Sequence, residues 1–527
     1  MKKINLKYDP RDQQTEILEF VKESISSGKK FVTIDAPTGV GKSFAAVMVS
    51  DWYVNEINED AKIDIITNTK LLQDQYKKDF DFMACLKGSN SYWCRNNFMN
   101  CGEAKILNKA RDRKCRACPY TIDQRSFLDE RISLTNYHLI TAYSMYNPDM
   151  LAERGSNLLI VDEAHAFEEA FCDFVASVFS ERSLTAHGIW EEWMKSDLDS
   201  ISDIHALSDY VKSVIIPRMS KKITEYTDLA LDSRSRKKKA EYIKKADHCD
   251  KTMCKYNRFV NDKENYRSNW IFEKEDGLES KILVEPVWAN VYMKEMFWDK
   301  YDHVIFMSGT IIDPDIFNFL MGIDQSENAY LSLPCPFKKE NRKIVYVKFG
   351  KMSYREKEKT FKRAVPIIKR ILEKNSEHKG IIHSGNYQFN EWIRREIKDR
   401  RLIVHDSSTR EESLKLHIES EYNTVIVSPS MMNGIDLKDD LSRFQIILKV
   451  PFPNLKSSKI KKRLEMKPDW YNWRALIDIM QSYGRSIRNE EDWAETYVLD
   501  ECFEQIINKS VPKYFTEAIS MKRLPSA

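Results

Sequence analysis

The segment that most limits what this chain can fold into is FVTIDAPTGVGKSFAAVMV, residues 31–49. A β-branched apolar run delivers the backbone to a turn carrying Gly39 and Gly41, and an apolar helical pattern follows at once. A strand, loop and helix in this order aim successive backbone N–H groups at an anion, with the positive end of the helix behind them. Thr38, Gly39, Val40, Gly41, Lys42 and Ser43 form the candidate phosphate cradle. Lys42 would reach the β and γ phosphates, and Ser43 would place its hydroxyl on Mg²⁺. Ala36 stands where the usual pattern opens with glycine, and a residue this small still lets the loop turn.

Further runs of the same kind recur along the 527 residues: KIDIITNT, NLLIVDE and HVIFMSGT, then KIVYVKF, KGIIHS, NTVIVSPS, FQIILKV and ETYVLD. Apolar runs bounded by turn residues and alternating with helical patterns read as parallel strands in α/β layers, and two sets imply two lobes. The pattern breaks at roughly 80–130, which holds cysteines and little strand signal, and at roughly 170–280, which reads as helical. Both breaks read as insertions in the first lobe.

LLIVDEAH at 158–165 ends an apolar strand in two acids. Beside a phosphate loop, Asp162 can hold the Mg²⁺ shell and Glu163 can orient or deprotonate an attacking water. In QSYGRSIRN at 481–489, helical spacing puts Gln481, Arg485 and Arg488 on one face, where arginines can stabilise charge developing on a γ-phosphate. Overall charge is only +3, but Lys87–Cys118 carries eight Lys/Arg against two acids and Ser233–Lys263 eleven against four. Two local basic segments suit contact with a polyanion.

The basic stretch CRNNFMNCGEAKILNKARDRKCRACPY contains Cys94, Cys101, Cys115 and Cys118. The N-terminus lacks the apolar core of a secretory signal and no apolar run is long enough to span a membrane, so an intracellular, reducing cytoplasm is expected. Clustered thiols there more often bind metal than pair. Four thiolates suit zinc or a cubane cluster, and spacing does not separate them. Cys85 is a rival for one of the four places. Cys249 and Cys254 with His248 lack a fourth partner, and Cys172, Cys335 and Cys502 read as small core residues.

APTGVGKS, DEAH, MSGT (307–310), NGIDL (433–437) and QSYGRSIR occur in the order of the superfamily 2 helicase motifs, with TNTKLLQDQ (67–75) resembling motif Ia and RDQQ (11–14) the adenine motif. With the cysteine cluster between motifs Ia and II, the chain resembles the XPD/DinG family of iron–sulfur helicases from Arg11 to Asp500. The resemblance implies two RecA-like lobes: lobe 1 over 1–80, 131–170 and 281–325, an iron–sulfur domain over 81–130, an Arch-like helical insertion over 171–280, and lobe 2 over 326–527. At 527 residues a compact version is expected, without an extra N-terminal exonuclease domain.

The resemblance further implies ATP between the lobes, with Arg11 and Gln14 near adenine, Arg485 and Arg488 reaching from lobe 2, and Gly434 and Asp436 coupling nucleotide to strand. It favours a [4Fe–4S] cluster on Cys94, Cys101, Cys115 and Cys118 over zinc. Lys105, Lys109, Arg111, Arg113 and Arg116 would contact phosphates, and Tyr92, Trp93 or Phe98 would stack on bases or lie in a core. The expected function is a monomeric ATP-dependent DNA helicase moving 5′→3′ on single-stranded DNA and opening forked duplexes in repair, replication or recombination. A translocase without unwinding, and a nucleic-acid-binding ATP switch with structural zinc, are the alternatives. A bacterial or viral source fits either.

Overall fold

A computed structural model of the chain describes residues 9–110, 118–275, 281–429, 439–484, 492–507 and 510–522. In the first half come β1 (Phe31–Asp35), β2 (Ile63–Thr67) and β3 (Ala84–Cys85). A hairpin of β4 (Trp93–Cys94) and β5 (Met99–Asn100) follows, then β6 (Ile132–Asn136) and β7 (Leu158–Asp162). Next are β8 (Ser177–Ser180), β9 (Trp270–Glu275) and β10 (Lys281–Pro286), and then β11 (His303–Ser308) and β12 (Asn328–Ser332). The second half contributes β13 (Ile344–Val347), β14 (Gly380–His383), β15 (Leu402–Val404), β16 (Val425–Ser428), β17 (Phe444–Ile447), β18 (Glu495–Val498) and β19 (Ile519–Lys522).

Two seven-stranded sheets result, in the orders β12-β1-β11-β7-β2-β6-β3 and β15-β16-β14-β17-β18-β13-β19. Neighbours pair in parallel throughout both. Strands β1, β2, β7 and β11 lie buried along almost their whole length, as helices on both faces of a parallel sheet require. Against the first sheet lie α1 (Asp12–Ser26), α2 (Lys42–Trp52) and α3 (Lys70–Asp79). Ile17, Val21 and Ile25 of α1 are its buried stripe, at the four-residue spacing of one helix face. The fold is α/β with two RecA-like lobes, and no helix among the described residues is long and apolar enough to cross a membrane.

All nine strands expected from the sequence are present, but the ladders draw three limits differently. β12 pairs with β1 in register Phe31↔Asn328, so the first lobe runs past 325 to Ser332. β3 pairs with β6, which takes Ala84 and Cys85 into the first sheet rather than the cysteine segment. β10 pairs with β8, so the helical insertion extends past 280 to Pro286. Backbone hydrogen bonding along a sheet edge decides membership here, and composition does not register it.

The cysteine segment contains α4 (Cys101–Ala110) and α5 (Pro119–Asp129). The helical insertion rests on the three-stranded antiparallel sheet β8-β10-β9. Its two long helices, Ile216–Asp232 and Arg236–Asn261, pack on each other and on α4. Cys94, Met99 and Ala104 of the cysteine segment share a small buried core with Ala230 and Ile243 of those helices. The basic stretch after Ser233 lies mostly in the second of these helices.

Candidate nucleotide site between the lobes

Because β1, β11 and β7 are adjacent and parallel, their carboxyl ends fall together: Asp35 is level with Ser308, and Met307 with Asp162. The phosphate loop leaves β1, MSGT leaves β11 and the DEAH segment leaves β7 at this one edge, where ligands of open α/β sheets bind. Gly39 (φ +96°) and Gly41 (φ +85°) take the left-handed conformation that glycine adopts without strain, and Gly41 caps α2. Lys42 Nζ donates to the Ala36 carbonyl at 3.2 Å, so the lysine lies folded across the loop.

The adenine-motif residues grip this loop. Gln14 Nε2 donates to the Val40 carbonyl at 2.9 Å, and Arg11 Nη1 to the Gly39 carbonyl at 2.7 Å. The Arg11 N–H donates in turn to Gln14 Oε1 at 2.9 Å. Phe337, from the link into lobe 2, presses on Gly39 so closely that a Cβ there would collide with its ring.

Asp162 is buried, and its carboxylate accepts from the Tyr76 hydroxyl at 2.9 Å and from the Glu163 N–H at 3.0 Å. Burial, and then the neighbouring Glu163, raise it from 3.8 to about 6, against the pull of Lys42. Glu163 sits at φ +60°, a conformation an L side chain rarely adopts outside strained functional turns.

From Glu163 a chain of polar contacts leads to lobe 2. Its carboxylate lies 3.4 Å from His165 Nδ1, which also meets Ser308 Oγ at 2.8 Å. Lost hydration holds His165 down at about 4, so it is a neutral imidazole at physiological pH. The Thr310 N–H donates to Ser308 Oγ at 3.1 Å, and Gln481 Nε2 donates to Thr310 Oγ1 at 2.8 Å. Gly484, at the end of the lobe 2 helix Pro468–Tyr483, faces Thr38 so closely that a Cβ would stand 3.1 Å from its hydroxyl.

The structure thus brings together Arg11, Gln14, the loop Thr38–Ser43, Asp162, Glu163 and Gln481. Arg485, Arg488, Gly434 and Asp436 lie outside the described residues. Sequence reading missed Tyr76, His165, Ser308, Thr310 and Phe337 as parts of the site. MSGT flagged two of them as a motif without a role, and nothing local singles out Tyr76 or Phe337.

Among the cysteines, the thiols of Cys101 and Cys118 interact directly, and Cys94 lies within electrostatic reach of Cys101. Cys118 caps α5: its sulfur lies 3.3 Å from the Thr121 N–H and 3.0 Å from the Thr121 hydroxyl. Burial alone would raise this thiol, but these bonds and Cys101 bring it below its ordinary value, while burial and then Cys118 push Cys101 up to about 12. Cys115 lies outside the described residues, and among those described no three His, Cys, Asp or Glu side chains group closely enough to hold one metal ion. Cys85 sits on the edge strand β3. Tyr92 is half-buried, with its ring against Tyr120, whereas Trp93 (59 % exposed) and Phe98 (63 %) face solvent.

Residues 7–186 match the family described as type III restriction enzyme, res subunit, and residues 369–521 match the helicase C-terminal domain. A solved XPD helicase aligns with a TM-score of 0.61 and 14 % identity over 98 % of this chain and 100 % of its own. Xpd4 of S. tokodaii aligns with a TM-score of 0.56 and 15 % identity over 97 % and 100 %. XPD in its apo form aligns with a TM-score of 0.57 and 13 % identity over 98 % and 100 %. The chain thus carries two matched domains, one of them a helicase C-terminal domain, and in its fold is similar to XPD helicases over nearly its whole length.

Proposed function

We propose that this protein hydrolyses ATP between its lobes to move along single-stranded DNA and part duplexes at forks, 5′→3′ on the strength of the family resemblance. The observation that carries the reading is the contact of one lobe 2 helix with the nucleotide loop, through Gly484 on Thr38 and Gln481 on Thr310. Lys42, which lies folded across that loop, is placed beside the lobe boundary to meet a phosphate there. Binding and hydrolysis there would draw the lobes together and release them.

Within this reading the loop amides and Lys42 hold the phosphates, and Ser43 and Asp162 hold Mg²⁺, which neutralises charge on the transferred phosphoryl group. Glu163 orients water, and the neutral His165 links it to Ser308. Arg485 and Arg488 are assigned to the γ-phosphate by the resemblance alone.

The resemblance alone assigns a [4Fe–4S] cluster to Cys94, Cys101, Cys115 and Cys118; among the described thiols Cys101 and Cys118 interact directly, which is compatible with that assignment. Such a cluster would brace the cysteine segment. Trp93 and Phe98 then offer exposed faces for stacking on bases.

A forked substrate with a 5′ single-stranded tail tests the reading. ATP-dependent strand separation lost in Lys42→Ala supports it, whereas DNA-stimulated hydrolysis without separation makes the protein a translocase. Binding without DNA-stimulated turnover makes it a switch. Iron and sulfide assays on anaerobically purified protein test the cluster, and stoichiometric zinc without iron overturns it.

A further inference from the structure

Phe337, Gly484 and Tyr514 reach the nucleotide loops of lobe 1 from the lobe 2 side, although they come from distant parts of the chain. Phe337 lies on Gly39, Gly484 faces Thr38, and the Tyr514 hydroxyl reaches the Gly309 carbonyl at 3.5 Å. Arg342, just ahead of β13 and 2 % exposed, holds all three segments. Its Nε donates to the Phe337 carbonyl at 2.9 Å. Its Nη1 donates to the Tyr483 hydroxyl at 3.3 Å and to the Tyr514 carbonyl. The Tyr483 hydroxyl donates in turn to the Arg342 carbonyl at 2.9 Å, and Tyr483 is the residue before Gly484. Nη2 donates to Glu517 Oε1 at 2.7 Å, which pairs the buried cation with a partly exposed carboxylate. A planar guanidinium sets the directions of these bonds relative to one another.

We infer that Arg342 is a positioning residue for the nucleotide site: its guanidinium fixes Phe337, Tyr483 and Tyr514 in one frame, so that they meet the phosphate loop and the MSGT loop as a single jaw. The inference rests on the proposed nucleotide site and adds to it a residue that acts on those loops through its neighbours. The helix that ends at Tyr483 also carries Gln481, whose amide donates to Thr310, so the frame sets the register of that contact too. A nucleotide that shifts the phosphate loop pushes on Phe337 and Gly484 together, and a shift in lobe 2 returns to the loop through the same guanidinium. The loop amides, Lys42 and Ser43 belong to lobe 1, so they can hold a nucleotide without the frame. Hydrolysis needs Gln481 in register as well. Lysine in place of Arg342 keeps a buried charge but gives up the fork that points at a carbonyl and a hydroxyl in set directions.

Hydrogen–deuterium exchange on full-length, nucleotide-free Arg342→Lys reads the frame directly. Exchange across residues 36–43 should quicken about tenfold, the scale of one lost hydrogen bond to a charged group, while β14 and β16 of lobe 2 exchange as in the wild type. In the same variant kcat for ATP should fall about tenfold, with the affinity for a fluorescent ADP analogue within about twofold of wild type. A purely packing role would loosen β14 and β16 as much as the loop, and that result overturns the inference. So does a loop that exchanges as before, or undiminished turnover where the wild type hydrolyses ATP. Tyr483→Phe, which removes one hydroxyl from the frame, gives the same reading should the lysine variant not fold. Failure of wild-type protein to bind the analogue, with Lys42→Ala indistinguishable from it, would instead count against the nucleotide site, and exchange across 36–43 would still decide the role of Arg342.

Discussion

Asp162 carries the cost of the site in a single side chain. Its folded-state value of about 6 lies above the ordinary 3.8, with burial the main cause, so the stability linked to its neutral form is complete below 3.8 and is lost as pH rises through 6. Asp162→Asn does not titrate. Without metal, the variant and wild type should therefore unfold alike in acid, and by about pH 7 the variant should be more stable by about 1–3 kcal/mol while hydrolysing no ATP. Unfolding curves against pH in a chelator check this, and a variant less stable than wild type at neutral pH would refute it. Asp162 and Glu163 were legible in the sequence because two acids end an apolar strand behind a phosphate loop. Tyr76 was not, since a tyrosine on an amphipathic helix reads as core until the fold shows which carboxylate it faces.

At the scale of elements, the loop between β1 and α2 is built as one piece with α1. Gln14 holds the Val40 carbonyl, and Gly41 lies directly under the same amide at φ +85°. Gly41→Ala would both strain the backbone, by about 1–2 kcal/mol, and push Gln14 off the loop. Nucleotide affinity should drop sharply while the circular dichroism spectrum stays that of the wild type; unchanged affinity would show that the loop tolerates another path. This element was readable because its glycines, lysine and serine sit at fixed spacing. β6 was not, because Ser133, Thr135 and Asn136 are buried polar residues, with Ser133 bonded to Asp64 at 2.7 Å, and an apolar-run rule passes over them. The β8–β10 ladder escaped for another reason: its partners lie about a hundred residues apart, and no local pattern encodes such a pairing.

Across the whole molecule, a buried ion pair bolts the lobes together behind the nucleotide site. Arg463 of lobe 2 donates to Glu168 at 2.6 Å and to the Val287 carbonyl at 2.7 Å, and its guanidinium lies over Trp288 and Trp470. Both partners are about 4 % exposed. Arg463→Ala would leave Glu168 charged and unpaired, at a cost of about 3–5 kcal/mol, and Glu168→Gln in the same chain should recover part of it. Urea unfolding of the two singles and the double measures the coupling; additive effects would mean that the pair does not act as a unit. The two-lobe plan itself was visible as two series of apolar runs, whereas this bolt joins residues almost three hundred positions apart and needed the fold to appear.

The antiparallel pairing of β8 with β10 has a consequence for how such a chain can be assembled. Strands β8 and β10, through which the chain enters and leaves the helical insertion, are directly paired, with Ser180 opposite Lys281. To the first lobe the insertion is one very large hairpin loop, whose two ends are already at the spacing a tight turn would span. A lobe of this kind can acquire, lose or exchange such a module without re-registering a single strand of its own sheet.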